Sequence, residues 1–513
     1  RHPGLEPGSI GRQARSKRFW PQSLRHNGPR LKAGVTGIMW PAPPPPSLSD
    51  TDSLDFKPSA PKSPAMLTSD QARDRAQDIV ARAVRAGADA ADAIFAADAS
   101  SEVSVRLGKL EDVGRSESED LGLRVFVGHR SASVSTSDLS SQAMDALVER
   151  AVAMAREAPE DLWAGLAPEE RLLRGAPPAL DLEDRAELSP AELREIAAAT
   201  EDAARAVPGV TNSEGGGASA SRSVIALATS HGFAGGYATT GFGLSASVIA
   251  GEGGGMQRDY AFHSARHRHR LNAPETIGRE AGRRAVARLD PGRMESGAMP
   301  VVLDPRVGAG LLGHLTGAIS GPSIARKTSF LLDALGTRVF AAGIRICDDP
   351  HRPHGLRSRP FDGEGLPVSP TALVEDGVLE TWLLDSASAR QLGLEPTGHA
   401  ARGVGGAPGV STSNLYLDAG HVPVETLIAD IVSGVYVTEM IGHGVNGVTG
   451  DYSRGAAGFR IENGEITRPV AEFTIAGNLK DMFLALTPAN DLEFRYGTNV
   501  PTLRIDGMTV AGG

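Results

Sequence analysis

The segment Met299–Phe330, MPVVLDPRVGAGLLGHLTGAISGPSIARKTSF, decides how this chain is to be read. MPVVLD has three apolar residues in a row, Val301, Val302 and Leu303, the pattern of a short buried strand. Asp304 stands where an N-cap belongs, and Pro305 follows at the first helical position, where its missing N–H costs nothing. Leu311, Leu312, Leu315 and Ile319 recur at three- and four-residue steps, so they share one helix face, and Gly321-Pro322 is expected to end the helix. A strand running into a helix with a single His is where a metallopeptidase would carry its zinc motif.

That motif needs two His one turn apart to hold zinc, with a Glu beside the first to take a proton from the bound water. Here only His314 is present. Leu311, Gly310, Ala309, Gly317, Ala318 and Ile319 occupy the positions three to five residues away, and none can bind a metal. None of the thirteen His in the chain is followed by Glu, so the motif is absent throughout.

Further along stand RICDDP and FDGEG within Arg345–Gly365, LEPTGHAARG (Leu394–Gly403), GHGVNGVTGDYSRGAAGFRIENGEI (Gly442–Ile466), AGNLKDMF (Ala476–Phe483) and PTLRIDGMTVAG (Pro501–Gly512). Together with the strand and helix they resemble the TldD/PmbA family of metallopeptidase-related proteins, over nearly everything after Met66. Within the family the chain is similar to the PmbA (TldE) branch. In the TldD branch the matching helix carries His-Glu-x-x-x-His, and the resemblance sets Gly313, His314 and Ala318 at those three positions. TldD-type chains also supply a Cys ligand near the C-terminus, whereas NDLEFRYGTNVP (Asn490–Pro501) is shorter and has none. The resemblance therefore implies a subunit with no catalytic group of its own and no cofactor. Zinc is expected in a TldD-like partner, the two chains forming a heterodimer that cuts unfolded or peptide substrates in a closed chamber in the cytoplasm.

Composition bounds the alternatives. The 513 residues suffice for two ordinary domains, with 41% apolar and 22% charged residues and no apolar run long enough to span a membrane. A single cysteine, Cys347, excludes an intramolecular disulfide framework. Residues 1–65 hold 12 of the 34 Pro and ten Lys/Arg against four Asp/Glu, so the segment reads as a disordered basic extension, with Met66 as the expected natural start. With a net charge of −10 overall and +6 in that segment, the remainder carries −16, which would repel a phosphate backbone and argues against nucleic-acid binding.

The remainder reads as α+β, two domains rich in antiparallel sheet with flanking helices. Residues 66–292 form the first, with helices from Ser69 to Ala86, Ser140 to Arg156, Ser189 to Ala206 and Pro274 to Leu289. Separate strands are expected at DAIFAAD, SEVSVRLG, LGLRVFVG, SVIALATS, GLSASVIAG and RDYAFHSARH, with turns at Gly235-Gly236 and Gly253–Gly255. Residues 293–513 form the second, carrying the degenerate metallopeptidase helix. Hairpin turns are expected there at Glu375-Asp376-Gly377 and Glu462-Asn463-Gly464, and helices at Asp385–Leu392, Val424–Val432 and Leu479–Leu484.

Three constellations invite a ligand. His263, His267 and His269 would share one face of a strand, a genuine zinc arrangement, but Arg266, Arg268 and Arg270 alternate with them and favour a solvated basic strand end. Cys347, Asp348, Asp349, His351 and His354 are dense in donors, yet Pro350 and Pro353 hold that loop extended so that neighbouring side chains diverge, and neither a metal nor a thiol nucleophile is expected. His399, Arg402, Asn414, His443, Asp451, Tyr452 and Arg454 lie among glycines in the segments that carry the resemblance. They either line a peptide-binding chamber or satisfy buried backbone groups in Gly-rich turns. No G-x-S-x-G elbow, phosphate loop or complete G-x-G-x-x-G is present. Two other functions stay open: a homo-oligomeric peptide-binding or regulatory protein without a protease partner, and a peptidase using ligands outside the family motif.

The helix at Pro305 thus predicts a chain that binds no stoichiometric zinc, and elemental analysis showing about one zinc per chain would overturn this and revive the His263 or Cys347 clusters. Deleting residues 1–65 should leave the unfolding temperature unchanged, because so polar a segment has little apolar surface to bury. A chain starting at Met66 that unfolds several degrees earlier would show instead that the segment packs.

Overall fold

Ala90–Arg106 forms a single strand where two were expected, because Ala99-Ser100-Ser101 contains no residue that breaks the pleat. The computed structural model describes residues 66–512, and the expected extension over 1–65 lies outside them. Helix α1 (Ser69–Arg85) is closed by a capping box between Thr68 and Gln71, one residue earlier than the sequence suggests. Strand β1 (Ala90–Arg106) is followed by β2 (Lys109–Val127), β3 (Arg130–Thr136) and α2 (Ser141–Glu157). Then come α3 (Pro190–Arg205), capped by Ser189 and Glu192, β4 (Val210–Thr229), β5 (Ala234–Ala250), β6 (Gln257–Ala265) and α4 (Pro274–Ala287).

The six strands make one antiparallel sheet in the order β3-β2-β1-β4-β5-β6. Their period of two separates the faces. Ala91, Ala93, Phe95 and Ala97 of β1 bury against α1 and α2 at one end of the sheet, while Val103 and Val105 bury against α3 at the other. All four helices lie on this one face. On the opposite face Ile94, Leu227 and Phe233 pack against Phe361 and Leu366 from the second half. The expected turn at Gly235-Gly236 is instead inside β5, and the chain reverses at Gly232, whose φ is +95°. Gly235 is needed for another reason: a Cβ there would stand 2.8 Å from the Phe233 ring and 2.9 Å from that of Phe361.

The second half opens with β7 (Gly297–Leu303), α5 (Pro305–Ala318) and α6 (Gly321–Ala325). Asp304 caps α5 by accepting from the Arg306 N–H, as the sequence predicts, and Leu311, Leu312 and Leu315 are buried. Gly321-Pro322 does not end that helix. It opens α6 under a Ser320 cap, since Pro is as well placed at a helix start as beyond a helix end. Short strands β8 (Ile346–Asp348), β9 (Thr371–Glu375) and β10 (Val378–Leu379) precede α7 (Ser386–Leu392). They are followed by β11 (Ala400–Ala401), β12 (Gly409–Val410), β13 (Leu415–Leu417) and α8 (Val424–Ile428). Long strands β14 (Ser433–Val445), β15 (Asp451–Glu462) and β16 (Glu465–Asn478) lead through α9 (Leu479–Leu484) and β17 (Leu486–Pro488) to β18 (Thr498–Asn499) and β19 (Leu503–Ala511). Both predicted hairpin turns occur, with Asp376, Gly377, Asn463 and Gly464 at φ of 45°, 79°, 51° and 81°. Strands β16, β15, β14, β7 and β19 pair in that order, and β16 also pairs with β19, so these five close into a ring. Only the β7–β14 contact within it is parallel. Among the described residues, no helix is long and apolar enough to cross a membrane.

A polar seam joins the two halves. Gly122 of β2 lies under Val404, whose carbonyl oxygen would be 2.2 Å from any Cβ there. Beside it the Asp92 carboxylate accepts from Arg124 of β2, with Nε at 2.9 Å, and from Nη2 of Arg402 at 3.0 Å. The three side chains are 5%, 6% and 0% exposed, so solvent supplies no compensation. Burial raises the Asp92 pKa, but the two guanidiniums outweigh it and hold the group below the usual carboxylate range. Asp362 and Glu364 lie close by, also buried. Glu364 accepts from the Ser386 N–H and hydroxyl at 2.8 and 2.7 Å, yet burial and the neighbouring Asp362 raise its pKa to about 7.

Asp92→Asn should leave two buried arginines without an anion and cost about 3–5 kcal/mol, measured by urea unfolding. A loss below about 1 kcal/mol would show that the seam is not held by charge. Glu364 takes up a proton on folding, because its folded pKa lies above its unfolded one. Its contribution is therefore present in acid and lost as pH rises through 7. Between pH 5 and 8 the parent should lose on the order of 2 kcal/mol more than Glu364→Gln. Parallel pH profiles would contradict this.

Candidate functional site

The face of α5 opposite its leucines determines what chemistry the second half can perform. Gly313 is exposed and Ala318 is buried. Half-buried His314 points its ring edge-on to Tyr452, with centroids 5.9 Å apart. Burial, then the charge of Arg454, lowers the His314 pKa and keeps the imidazole neutral near pH 7. Among the described residues, no hydrogen bond holds it to a carboxylate. The described residues contain two groups of three or more His, Cys, Asp or Glu close enough to share an ion, and His314 belongs to neither. The residues on α5 thus do not fit a zinc ion, and no hydrolytic step can be built on them.

Tyr452 leads into an open cleft of about 410 Å³ along the β14–β15 connection, lined by His443, Asn446, Asp451, Tyr452 and Ser453 with the backbone of Gly444 and Val445. Tyr452 is buried, donates to Met440 Sδ at 3.0 Å, and has its pKa raised to about 12 by burial, so it is a neutral phenol. Asp451 is exposed. Its carboxylate accepts from Thr449 Oγ1 at 2.6 Å and Asn478 Nδ2 at 3.2 Å, and these bonds lower its pKa. The Arg454 Nε donates to the Ile441 carbonyl at 3.4 Å. His443 stands exposed at the rim, with Ile441 and Val448 62% and 55% exposed nearby. Strand β14 pairs with β7 only through Val435–Val437, so its outer length offers unpaired backbone groups beside the cleft. Such a surface can bind an extended chain, but it contains no base poised on a nucleophile.

The seven residues marked out in the sequence therefore divide. His443, Asp451, Tyr452 and Arg454 gather around this cleft. His399, Arg402 and Asn414 are 3%, 4% and 1% exposed and belong to the interior, which corrects their reading as chamber-lining groups. Arg402 serves the seam. His399 lies 3.5 Å from Asp348 and contacts Thr397 Oγ1, while Asn414 donates to the Asp349 carbonyl and Ser358 Oγ and accepts from the Arg357 N–H. Glycines around a residue mark tight turns equally in a core and at a surface, so sequence could not separate the two sets.

The ligand-rich loop at Cys347 also resolves. Cys347 is buried in β8, and burial raises its pKa, so it is no nucleophile. His354 leaves that loop to meet Asp181 and His267. The expected solvated basic strand end is met only in part: Arg268, His269 and Arg270 are exposed, but β6 stops at Ala265, Arg266 and His267 are each 8% exposed, and His267 caps a turn leading to His269. A smaller cleft of about 160 Å³ nearby is lined by Arg266, Arg270, Arg352 and Arg495 and has no carboxylate. Asp181 carried no signal in the sequence, because its partners come from segments 86 and 173 residues away.

Comparison with known proteins agrees with this geometry. Sequence models of the PmbA/TldA metallopeptidase domain 1, central domain and C-terminal domain match residues 91–155, 183–289 and 296–512. Metalloprotease PmbA of Escherichia coli O157:H7 is 42% identical over 412 residues, covering 80% of this chain and 89% of that protein. A metalloprotease PmbA homolog of Haemophilus influenzae is 36% identical over 434 residues, covering 84% and 94%. The crystal structure of TldE from Thermococcus kodakarensis superimposes with a TM-score of 0.77 at 21% identity, over 85% of this chain and 100% of that one, a likeness of fold. With its domains matched from residue 91 to residue 512 and such relatives along most of its length, the chain belongs to the PmbA/TldD metallopeptidase family.

Proposed function

We propose that this chain is the non-catalytic, PmbA/TldE-like subunit of a cytoplasmic complex that processes unfolded proteins or peptides. The zinc would be held by a TldD-like partner. The observation that supports this reading is the chemistry of α5, where the resemblance to TldD-type chains sets the motif at Gly313, His314 and Ala318. A hydrolytic zinc is held by about three protein ligands and leaves a position open for water, and this helix supplies at most one. What the chain contributes is a surface. The cleft at His443 and Tyr452, with the unpaired length of β14, suits an extended peptide laid against it, and exposed Ile441 and Val448 would be covered where a second subunit closes the chamber.

Peptide cleavage should appear only when this chain is mixed with a TldD-like partner, and His314→Ala should leave that activity nearly intact. Replacing the partner's motif Glu should abolish turnover while the complex still assembles. If His314 instead polarised a substrate carbonyl, its removal would lower turnover by roughly a hundredfold. Cleavage by this chain alone, lost in His314→Ala, would overturn the reading. Peptide binding with no association with any TldD-like chain would favour the homo-oligomeric binding protein.

A further inference from the structure

We propose that Asp181, His267 and His354 form a binding site for a divalent transition metal such as zinc, separate from α5 and fastening the two halves of the chain together. The inference replaces the expectation of a metal-free chain, in which the His263–His269 and Cys347–His354 stretches are each set aside as metal sites, and it stands whether or not a TldD-like partner exists.

Three segments meet there. Asp181 lies in the connection between α2 and α3, His267 follows β6, and His354 comes from the proline-bounded loop of the second half. One ligand atom from each falls within 4.8 Å of the others. His267 Nε2 is 3.5 Å from Asp181 Oδ1, and His354 Nε2 is 2.8 Å from Asp181 Oδ2. Zinc at about 2.0–2.1 Å from tetrahedral ligands sets them about 3.4 Å apart, so His267 Nε2 and Asp181 Oδ1 already stand at that spacing, and since His354 meets the other carboxylate oxygen, turning the Asp181 carboxylate would bring one oxygen to both rings. Asp181 can supply that movement, because its side chain is 68% exposed. The same exposure leaves a coordination position for water.

Imidazole and carboxylate are the donors zinc takes alongside thiolate, and both rings can present a lone pair at Nε2. His354 Nε2 now donates to Asp181 Oδ2, while its Nδ1 is buried without a partner, so no protein hydrogen bond opposes moving the ring proton to Nδ1 when Nε2 ligates. His267 Nε2 now contacts the Asp181 carbonyl at 2.9 Å. Its Nδ1 faces Asp184 Oδ2 at 3.9 Å, an arrangement in which a carboxylate behind the ring receives the Nδ1 proton once Nε2 ligates. Asp184 itself accepts the Ala186 and Arg268 N–H groups at 3.0 and 2.8 Å, which suits it to that supporting role better than to ligation. His269, with its ring 5.6 Å from that of His267, stands on the Asp184 side.

Two of the three arginines that in the sequence oppose a cation here, Arg266 and Arg268, are engaged elsewhere. Arg266 donates to the carbonyls of Thr240, Gly355 and Leu356, and Arg268 pairs with Glu192 at 3.3 Å. Since Arg266 already ties β6 to the His354 loop, a metal would complete that fastening from the solvent side.

The test uses the full chain after chelation, with zinc chloride alone as the probe, followed by calorimetry and equilibrium dialysis. One zinc per chain bound tighter than about 10 µM, and a higher unfolding temperature in its presence, is expected. Asp181→Asn and His354→Gln should each weaken binding at least tenfold, while His314→Ala leaves it unchanged. Asp181→Asn replaces an exposed side chain by its isostere, so it keeps the test valid if His354→Gln fails to fold. Absence of a site at that affinity, or binding that either folded variant retains, overturns the proposal.

Discussion

The carboxylate of Asp92 is the point on which the two halves of this molecule depend. It projects from the face of the first sheet that carries no helix, and it is shared by one arginine from that sheet and one from the second half. Such a buried cluster is a weak source of net stability, since its desolvation cost rivals its attraction. Its value is positional: any other register of the halves would strand two guanidiniums and a carboxylate away from water. Phe233 and Phe361, packed edge to face with centroids 5.0 Å apart, fill the adjoining apolar part of the seam.

Burial first, and then the charge balance across this seam, accounts for the raised pKa of Glu364. Asp92 answers only part of the charge of Arg124 and Arg402, while Asp362 already places an anion beside Glu364. A second ionised carboxylate is then costly, and the proton stays on Glu364 up to about pH 7. The motif FDGEG is thus legible as a structural device in which Asp362 accepts three backbone N–H groups, from Glu364, Leu366 and Ala400.

The helix α5 keeps a regular capped and packed form around a single His. Its cap, its buried leucines and its place beside β7 and β14 are intact, because they depend on packing that any member of the fold requires. The outward positions are free of that requirement. Gly313 is exposed there, whereas Ala318 is buried with the leucines.

Sequence by itself determined the α+β class, the four helices of the first half within two residues at most boundaries, the Asp304 cap and both left-handed hairpin turns. Each rests on local rules of capping, periodicity and φ preference, which act within a few residues. It also determined that α5 cannot hold zinc, since that follows from which side chains stand one turn apart. Tertiary structure decided the rest. Extension of the single expected strands into the long β2 and β4, and the place of Gly235 under two aromatic rings, depend on neighbours distant in the chain. So does the division of the glycine-flanked residues into a cleft set and a buried set. The meeting of Asp181, His267 and His354 was beyond reach for the same physical reason: burial and ligation are set by where three remote segments are brought together, and no spacing along the chain encodes that distance.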